Sequence, residues 1–542
     1  MSGDFEMPNS PNPCTHTETS SVSGSNCAIC FKLKGFDENV VEARQALERA
    51  LEHRSAYLEE VNHACDPIQS LPNEVISSLF MLCIPCLPSL DIFDTTTSKT
   101  FQNYMAVQFL LGSICRYWRR IVWSTPDLWN TLWLKISDRT TVAHSQMVAD
   151  WLRRSGQLPL SIFMFCLHNE DYESDDSDSD SDSDANADWD IDEPAWSPVA
   201  MGIIDTLSHY IDRMKVLHLS LPGPLLELFR INGNSIPRTN DRILEKLFIE
   251  LRGPCSPDSN YQFGLAGEDP SPTHVSFRKI NYQEIGIRWD NVTSLKVQDL
   301  FDYDALAILQ LAPKLQVFKL SIVPDYNRGG PDKLPRVTHR SLRVLCLTRD
   351  TKENFLDSIT CPVMDELSYH LTIRTSQSLV DFLGRSACNL KDLSLNVSMK
   401  DPAESLLPVL TLTPSLTHLS LGKCGIPNTL LPSFRKTELL PHLSSFSSTA
   451  FIKNFRWSNI PSLVTQSQLT RATSPRMRSK SLRPLSRIAI TFVDSHPDPQ
   501  QYIDYANLTR ILGLVRNGIE VEIKTHEGRD IVSLSKARHG LD

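Results

Sequence analysis

Two short stretches hold residues whose type and spacing suit chemistry. Cys27 and Cys30 form a C-x-x-C pair, with Cys14 and His16 nearby. Thiolates and imidazoles so spaced are zinc ligands, but a tetrahedral site needs four of them held by folded chain. Residues 1–36 are rich in Ser, Thr, Pro and Asn, a composition that reads as disordered. No metal is expected there, and no cofactor anywhere. Farther on, Ser177, Ser179 and Ser181 each have an Asp three residues downstream, in a run where Ser and Asp alternate. That is the pattern acidophilic kinases modify, and phosphate would deepen an already negative loop; the plainer reading of the run is a spacer. The chain carries no G-x-S-x-G, no Walker loop, no H-E-x-x-H and no dinucleotide fingerprint. It is not expected to be an enzyme, and no catalytic residue is assigned.

The surrounding chain explains what else it could do. Its 542 residues can bury a sizeable core and imply more than one domain. A net charge of −10 argues against a dedicated nucleic-acid binder, whose surface is usually basic. No apolar run approaches the roughly 18 residues of a membrane span. The polar N-terminus does not read as a secretory signal. Thirteen cysteines, an odd number without framework spacing, fit reduced thiols in cytoplasm or nucleus.

Residues 37–66 read as one amphipathic helix. Val40, Leu47, Leu51, Leu58 and Val61 recur at helical spacing, and Arg54 falls on the same stripe. The helix either lies on the next domain or pairs with a second copy as a dimer. Asp66-Pro67 ends it, since proline disfavours helical geometry in its predecessor. Residues 67–136 read as a compact helical unit. One helix opens at Leu71-Pro72-Asn73-Glu74 and carries Val75, Ile76, Leu79, Phe80 and Leu82. After a polar insertion, a second helix runs from Val107 through Leu110, Ile114 and Trp118 to Ile121.

From residue 214 onward an apolar triplet of the form L-x-x-L-x-L recurs. Copies begin at Met214, Leu244, Val292, Leu315, Leu342, Met364, Leu390 and Leu416, with a degenerate ninth at Leu443. From Val292 the starts are 22 to 27 residues apart, the period of leucine-rich repeats. Each triplet is expected to be a short strand, with helical runs such as 303–311 and 377–383 on the outer side. Stacked units bury what one unit cannot. Asp350 and Cys424 stand where such repeats place a turn-satisfying residue. The expected layout is thus an irregular α/β solenoid over 137–525. It is interrupted by a disordered acidic insertion at 169–193 and a basic loop at 468–487, and followed by a tail at 526–542. Strands at 488–493 and 519–523, with a helix between, would close it.

Residues 68–136 resemble an F-box of the form common in mushroom-type fungi. The matching residues are Ile68, Leu71, Pro72, Glu74, Val75, Ile76, Phe80, Cys83, Leu87 and Pro88. In the second half they are Leu110-Leu111-Gly112, Ile114-Cys115-Arg116, Trp118-Arg119, Ile121, Ser124-Thr125-Pro126 and Leu128-Trp129. The resemblance implies docking onto the Skp-type adaptor that links F-box proteins to a cullin scaffold and its RING subunit. Leu71, Pro72, Ile76, Leu79, Phe80, Leu110, Ile114 and Trp118 are the candidate interface, with Leu71, Pro72 and Ile76 at its centre. The expected fold class is therefore α plus α/β. The expected function is the substrate-recognition subunit of an SCF-type ubiquitin ligase, whose repeats bind an unknown target protein. The alternative is a scaffold or nuclear binding protein acting outside a ligase.

Overall fold

The computed structural model describes residues 28–65, 68, 71–84, 106–137, 140–166, 198–231, 243–252, 261–265, 269–322, 335–348, 355–372, 375–397, 403–423, 439–451, 455–464, 485–493 and 502–541. The chain divides into two units, Met1–Leu87 with Leu111–Val122, and Pro88–Leu110 with Trp123–Asp542.

The first unit is helical. Helix α1 (Ala28–Cys65) begins well before residue 37, so residues 28–36, expected to be disordered, are helical; residues 1–27 lie outside the described residues. Helix α2 spans Asn73–Cys83 behind Pro72, whose extended backbone suits a residue that precedes a helix without joining it. The single helix expected from Val107 to Ile121 is two: α3 (Ala106–Ile114) and α4 (Arg116–Ser124), broken at Cys115. Side chains satisfy the break. The Cys115 Sγ accepts from the Trp118 N–H at 3.4 Å, and Arg119 Nε donates to the Gly112 carbonyl at 2.7 Å. These are the backbone groups a helix end leaves open.

The second unit is built on a fourteen-stranded sheet whose strands follow chain order, every neighbour parallel. The strands are β1 (Thr131–Ile136), β2 (Leu160–Cys166), β3 (Met214–Pro222), β4 (Lys246–Arg252), β5 (His274–Arg278), β6 (Ser294–Leu300) and β7 (Val317–Ile322). They continue with β8 (Val344–Leu347), β9 (Glu366–Leu371), β10 (Asp392–Val397), β11 (His418–Gly422), β12 (Ser445–Ala450), β13 (Arg487–Phe492) and β14 (Glu520–Thr525). Helices run between them. Among these are α5 (Val142–Arg154), α6 (Pro198–Ser208), α7 (Gly223–Ile231), α8 (Asp302–Leu311), α9 (Phe355–Ser358), α10 (Ser376–Ser386) and α11 (Ala403–Thr411). The last turns are α12 (Asn459–Ser462), α13 (Tyr505–Arg516) and α14 (Ile531–His539). Parallel neighbours need such crossovers, which cover one face of the sheet.

One structural signature repeats from strand to strand. The carbonyl just before a strand accepts two N–H groups from the start of the next. Thr293 O takes Gln316 and Val317, Gln316 O takes Arg343 and Val344, Arg343 O takes Asp365 and Glu366, and Asp365 O takes Lys391 and Asp392. Lys391, Thr417 and Ser444 continue the ladder. Along it the inward residues fall in one row. Leu295, Phe318, Leu345, Leu367, Leu393, Leu419 and Phe446 are register partners and all essentially buried. Burying one such side chain is worth about 1.5–3 kcal/mol.

Three expectations need correction. The sheet starts at Thr131, inside the segment read as the compact helical unit, because Leu132, Leu134 and Ile136 alternate inward and pair with Leu160–Cys166. The spacing before Val292 is longer, with a Pro- and Gly-rich stretch near Gly253 to Pro272 that reads as an insertion, yet the array does not skip a strand there. Strand β5 fills the interval with Val275 and Phe277 inward, and a buried Pro272 where the pattern wants a leucine. Finally, residues 526–542 are not a plain tail. Helix α14 packs on β14 with Ile531 and Val532 buried, Asp530 capping its first turn and the His539 ring bonded to the Ile503 carbonyl at 2.8 Å. Asp350, Cys424, the 169–193 insertion and residues 468–484 lie outside the described residues. Arg487, expected in the basic loop, instead opens β13, 3.0 Å from Glu522.

Candidate functional site

Helix α2 shows how the first unit is organised. Ile76 and Phe80, four apart, turn inward and are 0% and 3% exposed. The Phe80 ring meets Trp118 of α4 at 4.9 Å, and the Tyr117 hydroxyl reaches the Asn73 Oδ1 at 3.0 Å. A second apolar stripe stands beside the first. Val75, Leu79 and Leu82, spaced by four and three, are 43%, 42% and 82% exposed. This eleven-residue helix thus carries apolar side chains on two stripes, and the described residues bury only one.

The candidate interface residues separate accordingly. Leu79 and Ile114 are exposed, Pro72 is exposed, and Leu71 and Trp118 are half-buried. Leu110, on the segment assigned to the second unit, is also exposed. Ile76 and Phe80 are interior, so the choice of Ile76 as a central contact is corrected: a residue with no accessible surface holds the helix in place and offers nothing to a partner. Val75, Met81 and Leu82 are exposed apolar residues left out of the candidate set. The signal for them was present, since one face of a helix that short cannot hold all of Val75, Leu79 and Leu82 along with Ile76 and Phe80.

In the second unit, the sheet face opposite the inward row has its own order. Trp133, Phe163, His218 and Phe248 are successive register partners. Trp133 stacks on Phe163 at 3.8 Å, and the His218 ring is 5.5 Å from Phe248. Burial holds the His218 imidazole down to about 3, helped by the nearby Arg252 charge, and its Nδ1 has no hydrogen-bond partner among the described residues. Beside it, Glu250 receives Arg252 at 3.1 Å, Arg278 at 3.2 Å and the Ser220 hydroxyl at 2.8 Å. Farther along, the same row becomes Lys296, Lys319, Cys346, Ser368, Ser394, Ser420 and Ser447. From Ser368 to Ser447 this face presents small polar side chains in regular order.

Cys14, His16, Cys27, Ser177, Ser179 and Ser181 lie outside the described residues, and Cys30 lies within α1. Among the described residues, no cluster of three or more His, Cys, Asp or Glu is placed to hold a metal ion. Among the same residues, no helix is long and apolar enough to cross a membrane. No family model and no curated protein matches this chain.

Proposed function

We propose that this chain is a substrate-recognition subunit of an SCF-type cullin-RING ubiquitin ligase, an F-box followed by an irregular leucine-rich-repeat array. The observation that carries the reading is the uncovered stripe Val75, Leu79 and Leu82 on a helix whose other stripe is sealed by Ile76 and Phe80. Such a ledge suits a groove on a helical partner, which reads apolar anchors at three- and four-residue steps. The Skp-type adaptor is the partner implied by the F-box resemblance. The sheet face bearing Ser368, Ser394 and Ser420 would hold the target, because stacked repeats give an extended binding surface. The chain then works by proximity, keeping a target lysine near a charged ubiquitin carrier.

Affinity purification of the full chain tests this. Adaptor and cullin should co-purify with the wild type and be lost from the Leu79→Asp, Leu82→Asp double variant. Retention by the double variant moves the interface elsewhere. Absence of both proteins from the wild-type complex returns the chain to a scaffold outside a ligase.

A further inference from the structure

The stripe on α1 is a different surface. Val40, Leu47 and Val61 share one heptad position with Arg54, and Leu51 and Leu58 share the other with Asp37 and Arg44. All eight are exposed in the described chain. Among the described residues, Arg54 makes no ion pair. A charged group in the middle of an apolar seam specifies which partner and which direction the seam accepts.

A parallel pair of identical helices sets each residue against itself. Arg54 would then face Arg54, Arg44 would face Arg44 and Asp37 would face Asp37, three like-charge contacts along one seam. An antiparallel pair with its two-fold axis beside Gln45 and Ala46 removes all three. Arg54 then faces Asp37, Leu51 faces Val40, Leu47 packs on the aliphatic stem of Arg44, and Phe36 approaches Tyr57. Two-fold symmetry makes each contact occur twice.

We propose that α1 joins a second copy of this chain in this antiparallel register, with Arg54 of each copy paired to Asp37 of the other. The seam from Phe36 to Tyr57 is about 33 Å of helix, which is short for a two-stranded seam, so association in the micromolar range is expected. The proposal does not depend on the ligase reading, since none of its residues lies on α2.

Sedimentation velocity of the full chain at tens of micromolar tests it. The wild type should sediment as a dimer. Arg54→Asp alone and Asp37→Arg alone should each raise the dissociation constant by at least about tenfold. The double variant Asp37→Arg, Arg54→Asp should restore the dimer, a result that general damage to the helix could not give; circular dichroism checks that helix content is unchanged. A monomeric wild type, a dimer indifferent to Arg54→Asp, or a double variant no better than the singles would each overturn the proposal.

Discussion

The rings of Phe80 and Trp118 meet with centroids 4.9 Å apart and planes inclined at 53°, closing α2 against α4. The two residues come from the two halves of the helical unit, separated by an insertion. Ile76 is buried on the same side of α2, and Leu79 and Leu82 are exposed.

Substitutions on the two stripes of α2 should therefore differ in kind. Phe80→Ala removes a buried ring and should cost about 3–5 kcal/mol in the helical unit. Faster hydrogen exchange along α2 and α4 would report it. Leu82→Asp, on a side chain 82% exposed, should change stability by no more than about 0.5 kcal/mol. Equal effects from the two would mean that the stripes are not divided as described.

The buried His218 should make the sheet acid-sensitive. Its folded-state value lies near 3, below the ordinary 6.5, because burial and Arg252 disfavour the charged ring. A group depressed in this way contributes fully above about pH 6.5, and that contribution is lost as pH falls toward 3. His218→Phe, placed between Phe163 and Phe248, should remove this component. Thermal melts of both proteins from pH 7 to pH 4 would show it as a smaller loss of Tm in the variant. Parallel curves would reject the assignment.

Ala387 ends α10 in the left-handed region, with φ of 47° and ψ of 36°. Its N–H closes the helix on the Leu383 carbonyl at 3.0 Å. Glycine occupies that position without a Cβ clash. Ala387→Gly should stabilise the array by about 0.5–1 kcal/mol, despite glycine's greater freedom in the unfolded chain. Urea titration should show a higher midpoint with an unchanged slope; a lower midpoint would contradict the cap geometry.

Removing everything after Thr525 should expose the inner side of β14. Ile531 and Val532 leave with α14, and so does the His539 contact to Ile503. The truncated chain should lose protection in β13 and β14 first and aggregate at lower temperature, because a stack needs a cap over its last apolar face. Unchanged exchange in β14 would show that α14 is dispensable.

Much of this organisation was legible in the residues. The strands at Leu295, Phe318, Leu345, Leu393 and Leu419 announce themselves because leucine or an equivalent fills every inward position at steady spacing. Strand β5 did not, because Pro272 occupies the first position and Val275 and Phe277 the others. Strands β1 and β2 were hidden differently: Trp133 and Phe163 point to the opposite face, which blurs the alternation of Leu132, Leu134 and Ile136 and of Ile162 and Met164. The break at Cys115 could not be read either, since no proline or glycine marks it and its geometry rests on a thiol and a distant guanidinium. On α2 the apolar residues were plain, but which stripe faces inward depends on Trp118, which sequence spacing does not position.

Because the strands from β5 to β13 are fixed to their predecessors by the same pair of bonds and all fourteen pair in parallel register, position along the sheet is counted in strands, whatever the length of the connection between them. Fourteen strands at about 4.8 Å per step make a gauge roughly 60 Å long from β1 to β14. Residues added to or removed from the connections at 323–334 or 465–484 leave that gauge unaltered. Only the gain or loss of a whole strand resets it.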